Sequence, residues 1–247
     1  MSGGFPEALF PVLLGGRRDV LASAPSFVPT SLSGCVIWLR GDLGVTLAGS
    51  NVATWANQAG ANHSAEQTTD ALRPQVSTIN GKSALIFNGT TQTLVDATAG
   101  TSFLAADAKY TLFLVWEHTA GTGTQVPWRM SDNVVSAQEA YAYTGTALNQ
   151  GGHLLRASNA LGTSLTGKHI ITCLSDTGFV GLYDKSALHA SVVATPTHNA
   201  FNRFFIGSYA TSNHFGGKIG EVALFSRALT SGERAQMVSY MSSFWAI

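Results

Sequence analysis

From Ser33 onward, apolar residues recur in short runs broken by clusters of glycine, asparagine, serine and threonine. That spacing predicts strands over 35–39, 84–87, 110–117, 125–130, 139–143, 154–157, 169–174, 179–183, 187–193, 203–206 and 218–225. Residues 110–116 are nearly all apolar, the pattern of a central strand buried on both faces. No helical period of useful length precedes Thr230. After it, Met237, Val238, Met241, Phe244 and Trp245 recur at helical spacing. Thr230 and Glu233 form a capping box in front of them, since the threonine hydroxyl can accept from the Glu233 amide while the carboxylate reaches back to the Thr230 amide. Many strands closed by one helix imply two stacked antiparallel sheets.

Residues 1–32 read differently. Four of the seven prolines, Pro6, Pro11, Pro25 and Pro29, lie here, and each fixes φ and removes a backbone donor. The segment is expected to be an extended arm. Its apolar residues Phe5, Leu9, Phe10, Leu13 and Leu14 are too many for a solvated tail, so the arm is expected to dock on a neighbouring subunit, with its own domain as the alternative. The division expected is an arm over 1–32 and one domain over 33–247.

Composition sharpens this picture. The chain has 247 residues, 45% hydrophobic and only 11% charged, which argues against disorder and for a surface partly covered by a partner in a homo-oligomer. The formal net charge is zero and Arg17-Arg18 is the only adjacent basic pair, so capture of nucleic acid or an anionic membrane is not expected. No apolar run is long enough for membrane insertion. No signal peptide is read: Met1 to Gly4 carries no positive charge, and Pro6 and Pro11 interrupt the apolar stretch. Cys35 and Cys173 sit in apolar strand-like runs and read as buried free thiols; whether they pair is open at this level.

Candidate chemistry is sparse. Glu117, Glu139 and Glu221 are each solitary, where a glycoside hydrolase needs paired acids across a cleft. Glu221 is expected on one strand face with Ile219, Ala223 and Phe225, so its carboxylate would need a partner, with Arg227 and Arg73 as candidates. No Gly-x-Ser-x-Gly elbow occurs, and no catalytic residue is expected. His63, His118, His153, His169, His189, His198 and His214 show no metal-binding spacing, and no metal is expected. Arg40-Gly41-Asp42 falls at the end of a core strand rather than at a loop tip. A sugar site needs an aromatic platform with a few polar groups. Trp128, Tyr141 and Tyr143, with Arg129 and His153 nearby, are the candidates, and ordinary core and sheet packing is the alternative. Trp38, Trp55, Trp116 and Trp245 read as core.

Several segments in order resemble the laminin-G-like, concanavalin A-like jelly-roll module found in phage and bacterial surface proteins. They are the Trp38-Leu39-Arg40-Gly41-Asp42 opening strand, the loop centred on Trp55, and Arg73-Pro74 followed by Asn80-Gly81 and Leu85-Ile86-Phe87-Asn88-Gly89. The Arg227-Ala228-Leu229 turn and Glu233-capped helix complete the series. The resemblance implies an all-β, two-sheet antiparallel jelly-roll sandwich with a short C-terminal helix. In the Trp55 loop Asn57 stands where members often carry Asp, and Ala59 where they carry Ser. A calcium ion there would lose a charged ligand, so no cofactor is expected and calcium is at most weakly held. The function implied is a non-enzymatic virion structural or surface protein of a phage, a decoration, fibre or tail-surface subunit contacting other virion subunits through the arm. The alternative is a lectin-like carbohydrate-binding module attaching to cell-surface glycans, and a glycoside hydrolase is a third reading held low for want of paired acids.

Overall fold

The computed structural model describes residues 27–247 except 61, 97, 99, 120–124, 133–138, 145–148, 152–156, 159–165, 194–197 and 209–210; for 139–144, 149–151 and 157–158 it describes the backbone only. Among the described residues seventeen strands, numbered β1–β17 in chain order, form one continuous antiparallel network. The network folds into two layers, and one helix covers the outside of the first.

The first layer centres on β17 (Gly216–Phe225) and β8 (Tyr110–His118). β8 continues into β13 (Gly167–Asp176), β14 (Phe179–Asp184) and β15 (Ala187–Val192). On its other edge β17 is shared. Its first half pairs with β6 (Lys82–Asn88) and its second half with β1 (Cys35–Arg40). Every residue of β8 but Glu117 is buried, as its apolar run predicts. Glu117 is paired in register with Lys218 and bonded to it at 2.9 Å.

The second layer runs β2 (Val45–Ala48), β3 (Asn51–Trp55), β4 (Ala65–Glu66), β7 (Leu94–Asp96), β16 (Arg203–Ile206), β9 (Gln125–Ser131), β10 (Glu139–Thr144), β11 (Asn149–Gly151) and β12 (Ala157–Ser158). β5 (Gln75–Ile79) joins the layers by pairing with both β6 and β3. The β5–β6 hairpin turns on Asn80 (φ 48°) and Gly81 (φ 78°), the left-handed pair that a two-residue hairpin matched to strand twist requires.

Because strand side chains alternate, each layer turns one set of residues inward. Leu112, Leu114 and Trp116 of β8 meet Trp128 and Met130 of β9, Phe204 and Ile206 of β16, and Trp55 of β3. Full burial stabilises each of these large side chains by roughly 1.5–3 kcal/mol before entropy is counted.

The helix α1 (Ser231–Trp245) lies on the outer face of the first layer. Met237, Val238, Met241 and Trp245 pack there against Trp38, Phe113, Val115, Ala223 and Phe225. Its start is the expected capping box, with Glu233 N donating to Thr230 Oγ1 (3.3 Å) and Thr230 N to Glu233 Oε2 (2.9 Å). Arg227 grips the same carboxylate with both terminal nitrogens, at 2.9 and 2.6 Å. At the other end Ala246 adopts the left-handed conformation, and Asn80 Nδ2 donates to the last carbonyls, Trp245 O and Ala246 O.

Several expectations need correction. The Trp55 segment is a strand up to Trp55 and a loop only after it. β2, β4, β5, β7 and β11 were not predicted: β4, β7 and β11 are two or three residues long, and β2 and β5 are mostly half-buried or exposed, so neither shows an inward apolar run. The end of the leader is not separate from the sandwich. Phe27, Val28 and Leu32 pack beside α1, with the Phe27 ring edge-on to Tyr240 at 5.7 Å. Residues 1–26, with Phe5, Leu9, Phe10, Leu13 and Leu14, lie outside the described residues, as does most of the strand predicted over 154–157.

Candidate functional site

Register places a row of residues across the outer face of the second layer. Thr54 is paired with Glu66, Glu66 with Val95, Val95 with Phe205, Phe205 with Arg129, and Arg129 with Tyr141. Their strand neighbours Trp55, Ala65, Leu94, Phe204 and Trp128 belong to the core between the layers. Thr54, Glu66, Val95, Phe205 and Arg129 therefore face away from that core. Two positions along the strands, Ser131 is paired with both Arg203 and Glu139. The Phe205 ring carries two guanidinium groups, Arg129 and Arg203, each 4.9 Å from its centroid. Arg203 is exposed, whereas Arg129 is only 3% exposed and Phe205 7%. Val95 and Glu66 are half-buried beside them.

With the Phe205 ring almost covered, this arrangement presents the Arg203 guanidinium as a fixed planar donor, beside the half-buried Val95 and the Glu66 carboxylate as an acceptor. Such a combination can hydrogen-bond the hydroxyls of a sugar. Stacking on Phe205 orders both arginines, so less rotamer entropy is lost when they meet a ligand.

Of the residues singled out in the sequence, the structure brings Arg129 and Tyr141 into register. It sets Tyr143 opposite Asn149 on the next strand. Trp128 goes elsewhere. It immediately precedes Arg129 on the strand, so it points inward, where it is fully buried and stacked on Phe204 at 4.8 Å. No sugar can reach that ring, and Trp128 is corrected to a core residue. His153 lies outside the described residues. Sequence reading missed Phe205, Arg203, Glu66 and Val95, since nothing in a sequence shows which strands become neighbours.

Glu221 is the most buried acid among the described residues, and its partners are not the expected arginines. Arg227 holds Glu233, and Arg73 bonds Asp70 and the carbonyls of Gln67 and Thr68. Glu221 instead accepts from three neutral donors: Trp38 Nε1 (2.7 Å) and Tyr240 OH (2.9 Å) at Oε1, and Trp245 Nε1 (2.7 Å) at Oε2. Arg40 donates to the same Tyr240 hydroxyl at 3.0 Å. Burial pushes the Glu221 carboxyl above the ordinary carboxylate range, opposed by the three hydrogen bonds and by Arg40. A bulge at Gly220 puts Ile219 into the core between the layers, not on the Glu221 face as alternation alone predicts. The carboxylate thus ties α1 to β1 and β17. Arg40 and Asp42 also bond each other at 2.7 Å, so the Arg-Gly-Asp tripeptide is closed on itself.

Asn57 explains the departure in the Trp55 loop. Its Oδ1 accepts from Trp38 N (2.8 Å) and Ala59 N (3.0 Å), while Nδ2 donates to Val36 O (3.0 Å) and Asn62 O (2.9 Å). Two donors and two acceptors are all used, and an aspartate could supply only the acceptors. Three of the described histidines are likewise engaged. His63 is 2.7 Å from Asp96, whose carboxyl burial pushes up; His169 is 2.8 Å from Asp184, which raises the imidazole above its usual value; and His198 meets the carbonyls of Asn199 and Ala108. Cys35 and Cys173 are free thiols, both pushed up to about 12 by burial. β17 and β8 lie between their strands, too far for a disulfide. Among the described residues no His, Cys, Asp or Glu cluster could hold a metal ion, and no helix is long and apolar enough to cross a membrane.

These features define an all-β sandwich of the jelly-roll type. No protein-family model matches the chain, and no curated protein matches it by sequence. Solved structures share the fold at low identity. Domain 4 of AbnA, an extracellular arabinanase from Geobacillus stearothermophilus in complex with arabinotriose, superimposes with a TM-score of 0.61 at 13% identity, over 83% of this chain and 98% of that one. Trypanosoma rangeli sialidase gives 0.62 at 14% identity, over 86% of this chain but only 33% of the sialidase. The binding domain of Paraclostridial Mosquitocidal Protein 1 gives 0.56 at 11%, over 87% of this chain and 53% of that one.

Proposed function

We propose that the chain is a non-catalytic carbohydrate-binding sandwich whose ligand lies across the outer face of the second layer. The observation that carries this reading is the Phe205 ring with Arg129 and Arg203 stacked on it, in register with Val95 and Glu66. Support also comes from the arabinanase domain, which this chain matches over nearly that domain's whole length and whose structure contains arabinotriose. The two best-described isolated acids have structural duties, Glu117 with Lys218 and Glu221 with the indoles, so neither is available as half of a catalytic pair.

The test is glycan-array screening followed by calorimetry with arabinotriose and any array hit. Arg203→Ala should weaken binding about tenfold, the loss of one charge-assisted hydrogen-bonding group, with the melting temperature unchanged. Trp128→Phe should leave affinity intact. Absence of any glycan ligand, or an Arg203→Ala variant that binds as well as the parent, overturns the reading.

A role as a virion or other particle subunit is a separate proposal. It rests on the apolar leader, which enters the described structure at Phe27 against the exposed side of α1. Light scattering with and without residues 1–26 tests it, and an assembly unchanged by the deletion removes it.

A further inference from the structure

A second concavity lies on the opposite side of the molecule from the proposed glycan face. It is a cavity of about 170 Å³ between the first turn of α1 and strands β13 and β14. Lys185 and Arg234 line it, together with Ser186, Ser231 and Tyr183, and Thr172 belongs to its wall. Three features converge on the chemistry of what fits there.

The first is charge. The carboxylates near the cavity each have another partner: Asp176 is paired with Lys109 (2.8 Å) and Glu233 with Arg227 (2.6 Å), and Asp184 is hydrogen-bonded to the His169 imidazole (2.8 Å). Neither Lys185 nor Arg234 forms an ion pair among the described residues. Arg234 is held in place by Leu229 O, to which its Nη1 donates at 2.7 Å, and by the Tyr183 ring, 5.2 Å from its guanidinium carbon. The second feature is the start of a fifteen-residue helix. The amides of Ser231 and Gly232 have no acceptor within the helix, and the helix dipole adds positive potential at the same place. The third is independent of both. Thr172 is 1% exposed, on the helix-facing side of β13, and its buried hydroxyl has no hydrogen-bond partner. Leaving such a hydroxyl unpaired is costly, and a bound acceptor would relieve it.

We propose that this cavity is a binding site for a small oxyanion, a carboxylate, sulfate or phosphate group, held by Lys185, Arg234 and the first amides of α1, with the Thr172 hydroxyl donating from below. Lys185 stands exposed at the mouth and Arg234 half-buried at the side, so the anion enters from solvent. The volume exceeds what one such group fills and the mouth opens to solvent beside Lys185, so the oxyanion can be free or a substituent on a larger molecule. The site does not depend on the glycan face.

The test uses the full chain and sodium sulfate, with sodium chloride at matched ionic strength as the control. Amide NMR titration should show saturable shifts at Ser231, Gly232 and Thr172 with sulfate and none with chloride. Lys185→Gln and Arg234→Gln should each weaken sulfate at least about tenfold. Thr172→Val removes the hydroxyl at constant shape: it should weaken sulfate while leaving the anion-free protein as stable as the parent or more so. Lys185 is exposed, so its variant remains informative if Arg234→Gln fails to fold. Parallel titrations with inorganic phosphate, acetate and glucuronic acid separate a free oxyanion from a charged sugar substituent. Tighter binding of glucuronic acid than of acetate assigns the substituent, and equal binding assigns the free ion. Sulfate shifts that do not saturate, that chloride reproduces, or that survive Lys185→Gln and Thr172→Val unchanged overturn the proposal.

Discussion

Glu221→Gln is the sharpest perturbation of this fold. The carboxylate accepts two donors at Oε1 and one at Oε2, and both indole partners can only donate. Glutamine keeps the shape and one carbonyl oxygen, which can stay with Trp38 and Tyr240. Its amide nitrogen then faces Trp245 Nε1, donor against donor. Two buried N–H groups lose their acceptors, each at about 1–3 kcal/mol, so the total is about 3 kcal/mol. In a chain of this length 1 kcal/mol moves Tm by roughly 2–4 °C, which gives a drop of about 9 °C. The assay is a double-mutant cycle by denaturant unfolding, with Trp245→Phe as the second arm. Trp245→Phe removes the orphaned indole N–H, so the cost of Glu221→Gln should fall to about 1 kcal/mol in that background, a coupling of about 2 kcal/mol. Additivity within about 0.5 kcal/mol would refute the reading of Glu221 as an indole clamp. The pH dependence has a definite sign. The folded carboxyl is raised, so the native state holds its proton more tightly than the unfolded chain does. Its contribution is therefore full below the ordinary carboxylate value and declines as pH rises through the raised one. The stability gap between parent and Glu221→Gln should narrow from acidic towards neutral pH.

Asn57→Asp should cost about 2–4 kcal/mol, because a carboxylate would face the carbonyls of Val36 and Asn62; calcium should not restore the lost Tm, and a calcium-dependent rescue would show that the loop is an ion site. Gly220→Ala should cost about 1–3 kcal/mol by overpacking, since a Cβ there would lie 2.6 Å from the Trp245 ring; a neutral result in thermal unfolding would mean that α1 shifts freely over β17. Thr230→Ala should cost about 1 kcal/mol through loss of the helix cap. Arg227 holds the Glu233 carboxyl down at about 2, so its contribution is present above the ordinary carboxylate value and lost as pH falls towards about 2; acid unfolding of Glu233→Gln beside the parent checks this, and identical acid midpoints contradict it.

The strands with clear alternation or unbroken apolar runs, such as β8, β13 and β17, are legible in the chain, and so is the capped helix, because each is decided by residues close in sequence. The partners of Glu221 are not. Its need for partners is evident from its apolar strand, but Trp38 lies 183 positions away and only the fold brings it near. The bulge at Gly220 defeats strict alternation, and the glycine inside an apolar strand is its one local signal. The glycan candidates were half legible. Trp128 and Arg129 are adjacent on one strand and so must point to opposite faces, which the two-residue period alone could have told. That Arg129 meets Phe205 and Arg203 depends on the β9–β16 register, a long-range property set by packing.

The central claim is that the second layer's outer face is the binding surface, and the direct measurement is an NMR chemical-shift map of the full chain titrated with its tightest glycan ligand. Perturbations should centre on Glu66, Val95, Arg129, Arg203 and Phe205 and need about tenfold more ligand in Arg203→Ala. A map centred instead on the α1 side of the first layer, with that row unmoved, would contradict the account.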